Sequence, residues 1–481
     1  MQTAGVIVWL RRDLRLADHP AFTAAARLRV PVYPLYIWSL EAEHPWAPGG
    51  ASRWWLHHSL AHLEETLPQR GSRLLIRVGN ALDVLRDVLQ STGADTIYWS
   101  RSYEPERLAI DQSVKATLRA EGYTVRSFNA ALWHEPWTIR NKSGDPYQVF
   151  TPFWKACLAQ PEPDDPLSAP KRLTAPDQWP ASDALATLAL LPRVKWDAGF
   201  YRHWTPGERG AHDQLTAFCD GTVAAYKEAR DQPGQSGTSR LSPHLHFGEI
   251  SPRQIFHAVQ TAAQQQTVKG MMQGAEHFLR EMGWREFAHH LLFHFHQTPT
   301  QPLRAEFADF PWRTDAEQLA AWQHGRTGYP IVDAGMRELW HTGWMHNRVR
   351  MIVASFLVKD LLISWQTGAA WFWDTLVDAD LANNTLGWQW TAGCGADAAP
   401  YFRIFNPVLQ GKKFDGDGAY VRRWVPELAG LPDDCLHRPW EADAATLTAA
   451  DVELGRTYPH PIVDHKAARD RALEALAQTK N

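Results

Sequence analysis

The densest chemistry in the chain lies in thirteen residues, Asp378-Ala379-Asp380-Leu381-Ala382-Asn383-Asn384-Thr385-Leu386-Gly387-Trp388-Gln389-Trp390. Two aspartates, two asparagines and two tryptophans are more polar than a core helix needs. A buried carboxylate requires a partner, and Arg350, within Trp344–Met351, is the candidate. The same residues also suit a capped helix followed by aromatic packing. A second cluster, Gly237-Thr238-Ser239-Arg240-Leu241-Ser242-Pro243, sets a glycine, three hydroxyls and a guanidinium just ahead of a helix. Backbone N–H groups and hydroxyls at such a turn hold phosphate. A helix cap beside a surface arginine uses the same residue types. A third cluster, Arg280–Phe287, puts Glu281 and Arg285 four residues apart on one helix face, a spacing that also serves a solvated ion pair. His289, His290, His294 and His296 follow. His290 and His294 have the spacing of a zinc-binding HExxH, but Leu291-Leu292-Phe293 supply no glutamate. Packed or hydrogen-bonded histidines are expected there, and no metal.

These groups need a scaffold, and its pattern changes along the chain. Apolar runs at Val6–Leu10, Val30–Trp38, Arg73–Val78, Asp95–Ser100 and Tyr123–Phe128 alternate with helical patterns at Pro20–Leu28, Ser52–Leu67, Ala81–Leu89 and Glu106–Ala120. Uninterrupted apolar strands spaced by amphipathic helices predict a doubly wound parallel sheet covered on both faces. Arg11-Arg12-Asp13-Leu14-Arg15 follows the first strand where a dinucleotide site would carry GxGxxG, so no standard dinucleotide site is expected there. Pro161, Pro163, Pro166, Pro170, Pro176 and Pro180 then mark a connector over 158–200. Beyond it, spacings of three and four predict helices at Gly210–Tyr226, Pro252–Gln265, Gln273–His294, Ala316–His324, Ile331–Thr342, Asn347–Leu362 and Trp371–Val377. The fold class is therefore α/β plus all-α. The boundaries are 1–130 for the sheet domain, 131–200 for the linker and 201–475 for the helical domain.

Composition narrows the classes. Of 481 residues, 44% are hydrophobic and 21% charged, which excludes a disordered or collagen-like chain. The 49 basic and 53 acidic residues leave a net charge of −4, which neither announces nor excludes a basic groove for nucleic acid. Cys157, Cys219, Cys394 and Cys435 lie far apart, which argues against a disulfide scaffold or zinc ribbon and fits a reducing compartment. No membrane span is expected: the apolar run Met351–Val358 stops at Lys359-Asp360, well short of about 20 residues. A cytoplasmic protein is expected, because Val6–Leu10 is too short for a secretory signal. Tryptophan is in surplus at 24 residues, a reason to look for stacking or electron-transfer roles beyond packing.

Val8-Trp9-Leu10-Arg11-Arg12-Asp13-Leu14-Arg15-Leu16 resembles the opening signature of the DNA photolyase/cryptochrome family. Gly237–Ser242, Gly328–Asp333, Gly343–Met351 and Trp388–Pro407 resemble its flavin-domain signatures, the last including Asp397–Pro407. The resemblance covers nearly the whole chain in order. It implies an N-terminal antenna domain of Rossmann-like form, a long linker and a C-terminal helical domain holding FAD. By that resemblance the FAD phosphates meet Thr238, Ser239 and Ser242, with Tyr226 nearby. Asp378 and Asp380 fall at the polar edges of the flavin, Arg350 beside Asp378, and Asn384 opposite flavin N5; Arg285 and Asn347 join the cofactor set. A cation stabilises reduced, anionic flavin. Trp388, Trp365 and Trp312 match the three positions of the family's electron-transfer chain.

The resemblance extends to the lesion. Glu281, Trp284, Asn347, Met351 and Trp390 match positions lining the pocket for a cyclobutane pyrimidine dimer, and Arg403 matches a phosphate contact. The two indoles offer flat faces to flipped-out bases. Met351 fits the cyclobutane-dimer enzymes rather than the six-four type. Asn384 favours repair over signalling, for which plant-type cryptochromes carry Asp. Ser52–Leu60 and Asn384–Trp390 look more like class III photolyases than class I. Glu106 falls where some members bind a folate, so 5,10-methenyltetrahydrofolate is the antenna expected. The implied activity is light-driven repair of ultraviolet-damaged DNA by a monomer. The alternatives are a cryptochrome signalling protein and a six-four photolyase.

Overall fold

A strand buried on both faces of a sheet is mostly apolar, and the three central strands of this chain follow that pattern. The computed structural model describes residues 4–39, 44–265, 268–398 and 402–479. Strands β1 (Val6–Leu10), β2 (Val32–Trp38), β3 (Leu75–Val78), β4 (Thr96–Ser100) and β5 (Thr124–Phe128) form one sheet in the order β3-β2-β1-β4-β5. Every pairing is parallel. Each residue of β1, β2 and β4 is buried, whereas the edge strands β3 and β5 expose part of theirs. Helices Pro20–Arg27, Gly50–Thr66, Ala81–Thr92 and Pro105–Ala120 make the connections. The strand ends agree with the apolar runs to within two residues.

The connector crosses the surface of the sheet domain and uses its polar groups on the exposed edge. The Ile76 N–H donates to Ser182 Oγ at 2.9 Å, and the Val78 N–H to Asp183 Oδ2 at 3.1 Å. These bonds occupy donors that an open edge strand would leave for aggregation.

The described chain falls into two spatial units. One comprises Met1–Asp197, Tyr201–Ala224 and Ser239–His296; the other Ala198–Phe200, Ala225–Thr238 and Gln297–Asn481. Helices Pro252–Gln265 and Met271–His294 lie in the first unit. The second contains helices Ala316–Gln323, Pro330–Thr342, Asn347–Ser355, Trp365–Thr375, Leu381–Ala392, Pro407–Phe414, Ala419–Trp424 and His465–Gln478. The last four were not marked by the apolar spacing, and neither was Phe150–Leu158 in the first unit. Two expected helices are interrupted. The pattern over Gly210–Tyr226 gives a helix at Glu208–Ala217 and then a π-helical turn at Phe218–Thr222. The pattern over Asn347–Leu362 gives a helix to Ser355 and a second π-helical turn at Phe356–Asp360. The helix expected from Trp371 begins instead at Trp365, because Ser364 caps it by accepting from the Thr367 N–H.

The arginine-rich stretch after β1 is structural. Arg11 pairs with Asp111, and Arg12 with Glu104. Arg15 is buried and donates to the carbonyls of Gly248 at 2.8 Å, Asp18 at 2.8 Å and Ala130 at 2.9 Å. Gly248 is required for this closeness: its φ is +65°, and a Cβ there would lie 2.1 Å from the Arg12 carbonyl oxygen. Asp13 is also buried. Burial alone would raise its pKa, but His19, 2.9 Å away, and the Arg11 N–H hold the carboxyl down at about 2.

A carboxyl held below its unfolded value stabilises the fold above that value, and this contribution disappears as pH falls from about 4 toward 2. Asp13→Asn is therefore expected to lower stability at pH 7 by about 2 kcal/mol. It should also flatten the loss seen in wild type on acidification between pH 4 and 2. Urea unfolding at a series of pH values measures both.

Candidate functional site

The polar segment of the second unit is ordered from its first residue. Asp378 is almost fully buried, and its carboxylate accepts from Arg350 Nη2 at 2.8 and 3.1 Å. Arg350 also donates Nε to the Met345 carbonyl at 2.7 Å, so its guanidinium is held at two points. Asp380 caps the helix Leu381–Ala392, accepting the Asn383 N–H at 2.9 Å. The cap sets the angular position of everything after it. Asn384 is half-buried on the first turn and donates Nδ2 to the Ala369 carbonyl at 3.1 Å. Trp388 is one turn further on and buried, and Trp390 is half-buried.

Trp388 stands edge-on to Phe372 at 5.0 Å and to Trp322 at 6.3 Å. The approach depends on Gly368, where a Cβ would lie 2.1 Å from the Trp388 ring. The Trp388 indole N–H is buried with no acceptor among the described residues. Trp365 is 2% exposed, and Trp312 is half-buried with its ring 4.4 Å from Phe310.

The other sequence candidates of this unit sit as follows. His346 caps the helix Asn347–Ser355, accepting from the Arg348 N–H, and leaves Asn347 exposed at the first helical position. Burial pushes the His346 imidazole down to about 4, with Arg348 and Arg350 adding to the effect. Met351 is half-buried, its sulfur 3.8 Å from Arg348 Nη1. Arg403 is exposed and lies over the Trp390 ring at 5.4 Å. Ala399-Pro400-Tyr401, in the middle of the last signature, lie outside the described residues. Tyr226 is buried beneath Arg230, 5.7 Å over its ring. Thr238 follows Gly237, where a Cβ would fall 2.3 Å from the Ala229 carbonyl oxygen; only glycine lets the backbone pass.

In the first unit, Ser239 accepts at its carbonyl from Gln214 Nε2 at 2.9 Å, and Ser242 opens the one-turn helix Ser242–His246. Glu281, Trp284 and Arg285 share the helix Met271–His294. Trp284 stacks on Phe150 with ring centres 3.8 Å apart and planes 9° apart. Arg285 donates to the Ala131 carbonyl at 2.8 Å. Glu106 is in the first turn of Pro105–Ala120. His289, His290 and His294 are engaged as hydrogen-bonding groups. His290 accepts from the Tyr147 N–H at 3.0 Å, and burial pushes its ring down to about 4.

Sequence reasoning missed Lys359. It was taken with Asp360 as the polar end of an apolar run, yet both are 0% exposed. Its Nζ donates to the Ala392 carbonyl at 3.1 Å and lies 2.9 Å from the centre of the Phe402 ring. Burial pushes its pKa well below the usual lysine range. The only available signal was a charged pair inside a three-and-four repeat.

Within the second unit, a guanidinium locked to a buried carboxylate, the Asn384 amide and the close-passing glycine turn before Thr238 are groups that suit a ligand rich in ring carbonyls and phosphate oxygens. Known proteins decide which one. The family described as DNA photolyase matches residues 6–171, and that described as FAD binding domain of DNA photolyase matches residues 278–478. A deoxyribodipyrimidine photo-lyase of Agrobacterium fabrum is 52% identical over 482 residues, covering 100% of this chain and 99% of that protein. The chain belongs to the photolyase/cryptochrome family. Cryptochrome-1 of Arabidopsis thaliana is 43% identical, over 98% of this chain and 70% of its own length. The solved structure of a bacterial class III photolyase from Agrobacterium tumefaciens superposes with a TM-score of 0.96 at 52% identity, covering 100% of this chain and 98% of that one. The cofactor of this photolyase fold is FAD.

Removing Arg350 leaves a buried carboxylate unpaired. Arg350→Ala is expected to destabilise the protein by about 2–3 kcal/mol, less than for a fully buried pair because the guanidinium is partly solvated. Arg350→Ala/Asp378→Ala should cost less than the sum of the two single changes, with a coupling of at least about 1 kcal/mol by double-mutant cycle. Additive effects would show that the pair does not hold the segment.

Proposed function

We propose that this chain is a class III photolyase that repairs cyclobutane pyrimidine dimers in DNA under blue light, working as a cytoplasmic monomer. The observation that carries the reading is the ordered segment Asp378–Trp390, with its Arg350 pair and Asn384, within a chain 52% identical end to end to a deoxyribodipyrimidine photo-lyase. The functional boundaries are 1–130 for the antenna domain and 201–475 for the FAD domain, with 131–200 as the linker.

Held by these residues, FAD would supply, when reduced and excited by light, the one-electron chemistry that splits the cyclobutane ring. The protein positions and tunes. Arg350, held at Asp378 and Met345, presents positive charge to the reduced flavin. Asn384 offers an amide that carries no titrating proton. Thr238, Ser239 and Ser242 take the phosphates, with Tyr226, Asp380, Arg285 and Asn347 completing the cofactor set. Trp388, Trp365 and Trp312 pass electrons inward to restore the reduced state; the graded exposure, from two buried indoles to a half-buried one, suits that direction.

Toward DNA, Trp284 and Trp390 give flat faces to the extruded bases. The Phe150 stack keeps Trp284 flat, and Arg403 over Trp390 does the same while facing phosphate. Extrusion costs about a few kcal/mol and less at a damaged pair. The Glu281 carboxylate accepts from the ring N3–H on the pyrimidine carbonyl edge, and Met351 fills the pocket beside it. Glu106 holds the antenna, 5,10-methenyltetrahydrofolate.

The test is thymine absorbance of ultraviolet-irradiated oligothymidine mixed with reduced protein. Recovery is expected under blue light and not in darkness. Glu281→Gln should slow repair with FAD content unchanged. Arg403→Ala should reduce the slope of log affinity against log salt by about 0.7, the share of one phosphate on single-stranded DNA. No recovery, with light still reducing the flavin, would overturn the reading in favour of a cryptochrome or a six-four enzyme.

A further inference from the structure

Lys359 has no part in the repair scheme above, yet it is enclosed between two segments that do. It is fully buried, and it pairs with no carboxylate among the described residues. Withdrawing an amine from water costs free energy that an apolar side chain of similar length would not. What its N–H donors meet is two acceptors. One is the Ala392 carbonyl, 3.1 Å from Nζ, at the end of the helix Leu381–Ala392 that carries Trp390. The other is the face of the Phe402 ring, whose centre is 2.9 Å from Nζ, in the residue before Arg403.

The surroundings are shaped for this junction. Gly393 ends the helix at φ +89°, and a Cβ there would lie 3.0 Å from the Phe402 ring and 3.6 Å from Lys359 Nζ. Glycine is what lets the ring settle over the helix end. Beyond Arg403, the Phe405 N–H donates to Ser355 Oγ at 3.2 Å. One short stretch of chain, from Ser355 to Lys359, therefore anchors the segment on both sides of Arg403. Arg403 itself is exposed, with its guanidinium 5.4 Å from the centre of the Trp390 ring. Of the two anchors, Lys359 is the one that also holds the helix of Trp390.

We propose that Lys359 is a positioning residue for DNA: from inside the fold it joins the end of the Trp390 helix to the Arg403 segment and so sets how tightly the two grip a damaged strand. The inference rests on the places given above to Trp390 and Arg403 at the lesion. With no exposed surface, Lys359 touches neither DNA nor a bound cofactor. Loss of its donors frees Phe402 and Arg403 to shift from Trp390. Binding weakens, while events within the bound complex keep their rate.

The test measures affinity of the FAD-loaded, full-length protein for dye-labelled, ultraviolet-irradiated oligothymidine, by anisotropy in the dark over a series of salt concentrations. Lys359→Met is expected to weaken binding about tenfold and to lower the salt slope by about 0.7, the share of the phosphate that Arg403→Ala also removes. Repair at saturating oligothymidine should stay within about twofold of wild type. Lys359→Met and Arg403→Ala together should cost clearly less than the sum of the two, because the lysine acts through the arginine. Phe402→Leu, which removes the ring and keeps the lysine, should reproduce the loss. Far-UV circular dichroism and bound FAD confirm that each variant is folded. Wild-type affinity and slope in folded Lys359→Met would overturn the proposal. So would additive losses, or slower repair at saturation with unchanged affinity. Wild-type binding by Phe402→Leu overturns it whether or not Lys359→Met folds. Light-driven recovery of thymine absorbance by wild type, followed in parallel, separates these failures from failure of the repair reading.

Discussion

A carboxylate withdrawn from water must keep a cation, and the second unit is organised around one such pair, Asp378 with Arg350. Arg350 is on the helix Asn347–Ser355, and Asp378 lies in the turn after Trp365–Thr375. Their bond joins two elements that sequence separation alone would leave independent. Two residues beyond Asp378, Asp380 caps the next helix, so the pair also fixes where that helix begins. Asn384, Trp388 and Trp390 inherit their directions from that start. The electrostatic constraint is thus upstream of the aromatic geometry.

The same logic governs the sheet domain with the signs reversed. There a buried guanidinium, Arg15, is satisfied largely by backbone carbonyls, and a buried carboxylate, Asp13, by an imidazole and an N–H. Glu249 follows suit, accepting from Trp55 Nε1 at 3.1 Å and the Gly207 N–H at 2.7 Å while meeting His244. A stretch that looks basic in the sequence is committed inside the fold. That is why the carboxyl end of β1 offers no place for a pyrophosphate.

What was legible in the sequence divides along physical lines. Strands buried on both faces leave continuous apolar runs, so β1 to β5 could be read almost to the residue. Amphipathic helices such as Pro252–Gln265 were equally plain. Leu381–Ala392 was not, because its buried face includes Thr385 and Gln389 beside Leu381, Trp388 and Ala392, while Leu386 and Trp390 lie off that face. The partnership of Arg350 and Asp378 was suggested by burial chemistry, but its geometry depends on a fold that brings positions 28 residues apart together. Lys359 and Asp360 were misleading. Charge in a repeat usually means solvent, whereas here both are enclosed, Lys359 against a carbonyl and a ring and Asp360 with His465 at its Oδ1.

The π-helical turn at Phe356–Asp360 bears on how this chain tolerates insertions and deletions over evolutionary time. A π turn holds one residue more than the α-helix around it. Deleting that residue would return the turn to α winding with the following chain nearly in phase, but Lys359 and Asp360 lie in the turn itself and could not both keep their enclosed partners. The constraint on chain length here is therefore set by these two side chains and not by the course of the helix.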